Sequence, residues 1–173
     1  LRAIKGVITA PDVFEAVFEA HYEEIRRYIA RRLDLGVAED LAAETFLIAF
    51  RQRDRFDAVV GGVRPWLYGI ATNLIGRHRR AEVRRYRALA RTGPPPDEEA
   101  PDQRIVDRLS ADVTVDRLAG ALARLSQGER DVVLLVAYGG LGYDEVAEAL
   151  GIAMGTVASR LSRARTKLRE VLG

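Results

Sequence analysis

Residues 143–168 read Tyr143-Asp-Glu-Val-Ala-Glu-Ala-Leu-Gly-Ile-Ala-Met-Gly-Thr-Val-Ala-Ser-Arg-Leu-Ser-Arg-Ala-Arg-Thr-Lys-Leu168. Two apolar sets lie here at helical spacing: Tyr143, Val146, Ala147 and Leu150, then Val157, Leu161, Ala164 and Leu168. Gly151 stands between them, where a helix C-terminus wants a residue free to take positive φ. Ala147 is small, so a following helix can pack close, and Val157 then points back into the joint. The spacing predicts a helix-turn-helix.

The second of these helices carries the chemistry. With Val157, Leu161, Ala164 and Leu168 inward, Ser159, Ser162, Arg163 and Thr166 face outward, with Arg160 at the edge and Arg165, Lys167 and Arg169 close by. Short hydroxyls among arginines suit a major groove, because arginine reaches both phosphates and guanine edges. Thr156, Arg165 and Lys167 are placed for phosphate, where the contribution is sequence-blind. A solvated basic face on an ordinary helical hairpin would carry the same residues.

The whole chain sets the limits. Its 173 residues suffice for one domain or two small ones, and a 48% hydrophobic fraction suffices for globular cores. Formal net charge is only +2, so the placement of charge matters more than its sum. With no cysteine, disulfides and thiolate metal sites are excluded, and a reduced cytoplasmic setting fits. No apolar run approaches a membrane span, and none reads as a signal peptide. Leu1 to Ala10 carry no functional weight.

Upstream, Phe14, Val17, Phe18, Tyr22, Ile25, Ile29 and Leu33 mark one amphipathic helix that starts near Pro11-Asp12. After Gly36 a second helix is expected from about Val37 to Gln52, with Leu41, Thr45, Ile48 and Ala49 on its inner side. Its other side sets Glu39, Asp40 and Glu44 beside Phe46 and Phe50. An apolar patch rimmed by acids is a candidate partner surface. Arg53 to Arg64, with Gly61-Gly62, reads as a loop, and Pro65 suits the first turn of a third helix.

That third helix buries Leu67, Ile70, Ala71, Leu74 and Ile75, and its polar side continues into an arginine stripe. Arg77, Arg80, Arg84, Arg87 and Arg91 follow Asn73 at offsets that, at about 100° per residue, align on one narrow face. Arg79 and Arg85 widen it, and Glu82 interrupts it. Aligned arginines repel one another in water, and a polyanion resolves the repulsion. From Thr92 the composition changes to Gly93-Pro94-Pro95-Pro96 and then to Asp97, Glu98, Glu99 and Asp102, an acidic, proline-rich linker. A last domain is expected from about Asp112, with Val115, Leu118, Leu122 and Leu125 on one helix and Ser126-Gln-Gly-Glu129 as a capping box for the next. The expected fold is all-α, two small helical domains on a flexible linker: residues 11–92, linker 93–111, and residues 112–173 with the helix-turn-helix.

No catalytic constellation is legible. His21 and His78 are the only histidines and read as packed side chains. There is no phosphate-binding glycine loop after a strand and no metal-ligand spacing, so no enzyme activity and no cofactor are expected.

Four stretches carry a family resemblance: Ala38-Glu-Asp-Leu-Ala-Ala-Glu-Thr-Phe-Leu47, Arg64-Pro-Trp-Leu-Tyr-Gly-Ile-Ala-Thr-Asn-Leu-Ile75, Leu125-Ser-Gln-Gly-Glu-Arg130 and Gly155-Thr-Val-Ala-Ser-Arg-Leu-Ser-Arg-Ala-Arg165. In order and spacing they resemble bacterial RNA polymerase sigma factors of the extracytoplasmic-function group. The resemblance implies a polymerase-binding helix at the first stretch, with Asp40, Leu41, Glu44, Thr45 and Phe46 as the docking surface. It implies promoter melting and minus-ten reading at the second, through Arg64, Trp66, Asn73, Arg77, Arg80 and Arg84. The C-terminal domain would then read the minus-thirty-five element through Thr156, Ser159, Arg160, Ser162, Arg163, Thr166 and Lys167. Core RNA polymerase, promoter DNA and an anti-sigma protein are the implied partners. Ala43 stands where the family often has Gln, Arg77 where it often has an acid, Ala153 where it often has Pro or Ser, and Ala158 where it often has Lys. Two other readings stay open at this point: a two-site DNA-binding regulator that never touches polymerase, and a sigma-like decoy that binds only protein.

Overall fold

The computed structural model describes residue 8, residues 10–56, 61–92 and 105–173, the last range with side chains from residue 115 onward. Among these, the regular structure is entirely helical. α1 (Pro11–Ala30) opens with proline in its first turn, where the missing N–H costs nothing. α2 (Leu35–Gln52) follows a four-residue break and runs into a short 3₁₀ turn (Arg53–Arg55). α3 (Val63–Arg77) and α4 (Arg79–Thr92) complete the first half. α5 (Ile105–Arg124), α6 (Gln127–Ala137), α7 (Tyr143–Leu150) and α8 (Met154–Leu172) make the second.

The helix-turn-helix forms as its sequence predicts. Gly151 takes φ +62°, ψ +37°, a left-handed conformation that closes α7 at little steric cost only for glycine. The Ile152 N–H donates back to the Ala147 carbonyl at 3.0 Å, and Val146 and Val157 are both fully buried in the joint. The capping box at the start of α6 also forms. Ser126 Oγ accepts the Glu129 N–H at 3.3 Å, and the Glu129 carboxylate accepts the Ser126 N–H at 3.0 Å.

Two expectations change. The third helix is not continuous: it stops at Arg77, His78 leaves helical geometry at φ −98°, ψ 16°, and α4 starts afresh. The helix expected to start near Asp112 begins at Ile105, so residues 105–111 are helical. The acidic, proline-rich residues 93–104 and loop residues 57–60 lie outside the described residues.

The two halves share one core. Helix α7 packs against α3, and α5 packs against α4. Gly69 makes the first contact possible, because a Cβ there would run into the Ala149 backbone. At the centre four charged side chains are buried together. Arg32 Nε donates to Glu82 at 2.6 Å and its Nη2 to Asp131 at 2.5 Å, while Arg130 Nη1 donates to the other Glu82 oxygen at 3.3 Å. The spare donors are satisfied: Arg32 reaches the Tyr28 hydroxyl at 2.7 Å, and Arg130 the Leu122 and Leu125 carbonyls at 2.9 and 2.7 Å. Burial raises the Asp131 carboxyl above its ordinary value even with Arg32 beside it.

Candidate polymerase and nucleic-acid interfaces

On α2 the inner face is larger than its periodicity suggested. Leu41, Thr45 and Phe46 are 5%, 0% and 3% exposed. Phe46 packs edge-on to Phe18 at 5.0 Å and beside Tyr22 at 5.7 Å, and Thr45 Oγ1 donates to the Leu41 carbonyl at 2.7 Å. These three residues are packed into the core in this structure and offer almost no exposed surface. The exposed face is instead Glu39, Asp40, Ala43, Leu47 and Phe50. Leu47 is 47% exposed and Phe50 37%, with the nearby Phe18 at 41%. An apolar strip with an acidic end therefore does exist, one step round the helix from its expected position. Leu47 belongs to this exposed strip and was not singled out by periodicity, although a leucine at the turn after Asp40 and Ala43 signals it. Glu44 is half-buried and lies 3.7 Å from Arg77.

On α3, Asn73 is exposed while its neighbours Thr72 and Leu74 are buried. Trp66 is half-buried against Phe56, ring centres 4.8 Å apart. Arg64 is not free. Its Nε donates to Glu24 at 3.0 Å and its Nη2 to the Gly139 carbonyl of the other half. Burial pushes the Glu24 carboxyl up, but His21 and Arg64 outweigh it and hold the group below its ordinary value.

The arginine stripe survives the break at His78. Arg77, Arg80, Arg84, Arg87 and Arg91 are all exposed. Arg77, Arg79, Arg80 and Arg84 line an open groove of about 650 Å³, closed on one side by Gln127 of α6. Glu82 does not interrupt the stripe, because it turns inward to Arg32 and Arg130 and is 1% exposed. Arg85 leaves the stripe to pair with Asp34 at 3.0 Å.

On α8, Ser159, Ser162, Arg163, Thr166 and Lys167 are exposed, and Thr156 and Arg160 are half-buried. The hydroxyls of Ser159 and Thr166 donate to the carbonyls of Thr156 and Ser162 at 3.1 and 3.2 Å, contacts within the helix that a partner can replace. Arg165 donates to the Tyr143 hydroxyl at 3.2 Å. Lys167 and Arg163 both lean on Glu129, at 2.7 and 3.6 Å. Sequence reasoning read Glu129 as a cap alone and missed this second use.

Among the described residues no group of His, Asp and Glu could hold a metal ion, and no helix is long and apolar enough to cross a membrane.

The family models for sigma-70 region 2 and sigma-70 region 4 match residues 17–85 and 116–168. The first covers α2, α3 and most of the stripe, and the second covers the helix-turn-helix. The chain is 34% identical over 171 residues to the RNA polymerase sigma factor CarQ of Myxococcus xanthus, covering 95% of this chain and 91% of that protein. It is 34% identical over 163 residues to the ECF RNA polymerase sigma factor SigL of Mycobacterium tuberculosis, covering 92% and 89%. Among solved structures, the sigma factor RpoE of Bartonella quintana, in complex with the anti-sigma factor NepR, superposes with a TM-score of 0.61 at 26% identity, over 92% of this chain and 96% of that one. With the two matched regions each carrying an exposed basic helix, the chain belongs to the extracytoplasmic-function group of RNA polymerase sigma factors, transcription initiation factors that bind core polymerase and direct it to promoters.

Proposed function

We propose that the three surfaces divide the work of initiation. The acidic-apolar face of α2, centred on Asp40, Leu47 and Phe50, docks on core polymerase. Asn73 reads an extruded base of the non-template strand, and Arg77, Arg80 and Arg84 hold the adjoining phosphates. A base out of its stack needs an edge-reading polar group, and an amide offers both donor and acceptor. α8 enters the major groove at the minus-thirty-five element with Ser159, Ser162, Arg163 and Thr166. Arg64 and Trp66 support the melting segment, with Arg64 available to DNA only once it leaves Gly139.

The observation that carries this reading is the pair of exposed basic helical faces, one in each matched region, on a chain that also exposes an acid-rimmed apolar strip. Two modest DNA contacts on one chain reinforce each other, since the second becomes intramolecular. The protein acts in the cytoplasm, without catalysis of its own, and an anti-sigma protein controls it, as NepR is bound to its similar sigma factor. Run-off transcription with purified bacterial core polymerase on a library of candidate promoters tests the assignment. A promoter-dependent transcript is expected. None from any promoter would leave a DNA-binding regulator or a decoy as the better reading.

A further inference from the structure

A cavity of about 160 Å³ opens where the end of α1, the first turns of α3 and the end of α6 meet. It shares no lining residue with the arginine groove of α3 and α4, and none with α8. Three guanidinium groups line it, those of Arg27, Arg31 and Arg64, against a single carboxylate, Glu24. That carboxylate is already engaged. It accepts from Arg64 at 3.0 Å and from the Tyr68 hydroxyl at 3.2 Å, and it lies 2.6 Å from His21 Nδ1. Burial raises the Tyr68 hydroxyl above its ordinary value, so that group keeps its proton and donates.

Arg27 and Arg31 are left as the surplus. Four residues apart at the end of one helix, they face the same way. Arg27 has only a loose ion pair with Glu23, 3.8 Å between two exposed side chains, and such pairs contribute little. The Arg31 guanidinium has no ion-pair or hydrogen-bond partner among the described residues. It lies instead over the Tyr138 ring, 4.6 Å from the centroid. The ring face attracts the cation without using any of its N–H donors, which stay free. The Tyr138 hydroxyl also makes no hydrogen bond among the described residues, and Tyr138 lines the same cavity.

Helix capping does not account for the two arginines. Cations do suit a helix C-terminus, yet the carbonyls that end α1 have other donors. The Arg31 N–H serves Arg27, the Leu33 N–H serves Ile29, Arg85 serves Ala30, and the Tyr86 hydroxyl serves Arg31.

Size and charge select the ligand. Sites for whole small molecules run to about 300–1,000 Å³. At about 30 Å³ per water, this cavity has room for roughly five waters. A tetrahedral oxyanion fills such a space and a nucleoside does not. Two surplus guanidiniums match a double negative charge, and their paired N–H donors match its oxygens. A carboxylate would satisfy one arginine and leave the other unpaired.

We propose that this cavity binds a phosphoryl dianion, free or at the end of a nucleotide, held by Arg27, Arg31 and the Tyr138 hydroxyl beside a wall fixed by Arg64 and Glu24.

Titrating the nitrogen-15-labelled full-length chain with inorganic phosphate, at constant ionic strength, tests this through the arginine Nε–H and backbone amide signals. A saturable shift at Arg31 and Tyr138 is expected. Arg31→Ala should raise the dissociation constant about tenfold or more, as loss of a charge-assisted contact does. Tyr138→Phe keeps the ring beneath Arg31 and removes only the hydroxyl, so it should weaken binding several-fold in a chain that folds as wild type does. Arg80→Ala, in the other groove, should leave the constant unchanged. Adenosine monophosphate then distinguishes the source: tighter binding than phosphate identifies a nucleotide, equal binding identifies phosphate itself, and either supports the site. Shifts confined to Arg77, Arg80 and Arg84, or a constant unchanged in both Arg31→Ala and Tyr138→Phe, overturn the proposal.

Discussion

Lys167 donates to both carboxylate oxygens of Glu129, at 3.0 and 2.7 Å, across the joint between α8 and α6. Arg163 stands 3.6 Å from the same group. Two cations of the recognition helix are thereby partly neutralised before DNA arrives. Glu129→Gln keeps the capping box, since glutamine serves at that position, and removes only the charge. The full-length variant should bind duplex DNA more tightly at low salt. Its slope of log K against log salt should steepen by about 0.9 for each additional phosphate neutralised. Fluorescence anisotropy across a salt series checks this, with Lys167→Ala as the opposite control. An unchanged slope would mean that Lys167 already leaves Glu129 for phosphate in the wild-type complex.

The same pair predicts an acid dependence. Burial pushes the Glu129 carboxyl up, but Lys167 and the Ser126 N–H outweigh it, so the group sits below its ordinary value. A depressed carboxyl contributes stability that is fully present above its unfolded value, about 4.3, and disappears as pH falls through the folded one. Urea unfolding of wild type and Glu129→Gln should therefore differ at pH 7, with wild type the more stable, and converge below about pH 4. A constant gap down to pH 3 would show that packing and not charge separates them.

On α2 the exposed and buried residues should separate binding from stability. Leu47→Ser removes an exposed apolar contact, so core polymerase affinity should drop about tenfold or more, roughly 1.4 kcal/mol, with little change in unfolding. Asp40→Lys should act in the same direction. Phe46→Ala should instead cost about 3–5 kcal/mol of stability, because it empties a site between Phe18 and Tyr22. Competition binding to core enzyme, paired with urea melts, tests both. Loss of affinity in Phe46→Ala without loss of stability would reverse the assignment of the two faces.

What the sequence disclosed was governed by local rules. Gly151, Ala147 and Val157 specify the helix-turn-helix because left-handed closure and close packing act within fifteen residues. Ser126 and Glu129 specify their cap within four. The arginine stripe was legible for a different reason: exposed residues keep their angular order even though His78 breaks the helix. Features decided by distant partners were not legible. Phe46 stands two residues after Glu44 and, by helical angle, outside the stripe of Leu41, Thr45, Ile48 and Ala49, but Phe18 and Tyr22 of α1 supply it with a pocket. Glu82 reads as an interruption of a basic run, yet Arg32 lies 50 residues away and Arg130 48. Arg130 and Asp131 look like ordinary helix surface until the other half covers them. No periodicity encodes a joint between two units that each fold by their own pattern.

Asn73 and Arg80 give the sharpest division between reading and holding. Asn73 is exposed on α3 one turn before the break, between two buried neighbours that fix its direction. Arg80 is exposed on α4 just past it, in the groove with Arg77 and Arg84. An amide can bond a base edge with donor and acceptor together, and its loss removes discrimination at one position, typically about 1–3 kcal/mol for a bidentate contact. A guanidinium on phosphate contributes alike for every sequence and in a salt-dependent way. Transcription from a promoter library randomised across the minus-ten element should therefore show a relaxed preference at one base for Asn73→Ala. Arg80→Ala should give a uniform loss, with the order of promoters unchanged and a salt slope shallower by about 0.7 to 0.9. Matching sequence profiles for wild type and Asn73→Ala would move base reading away from Asn73. A sequence-dependent loss in Arg80→Ala would move it toward the arginine groove.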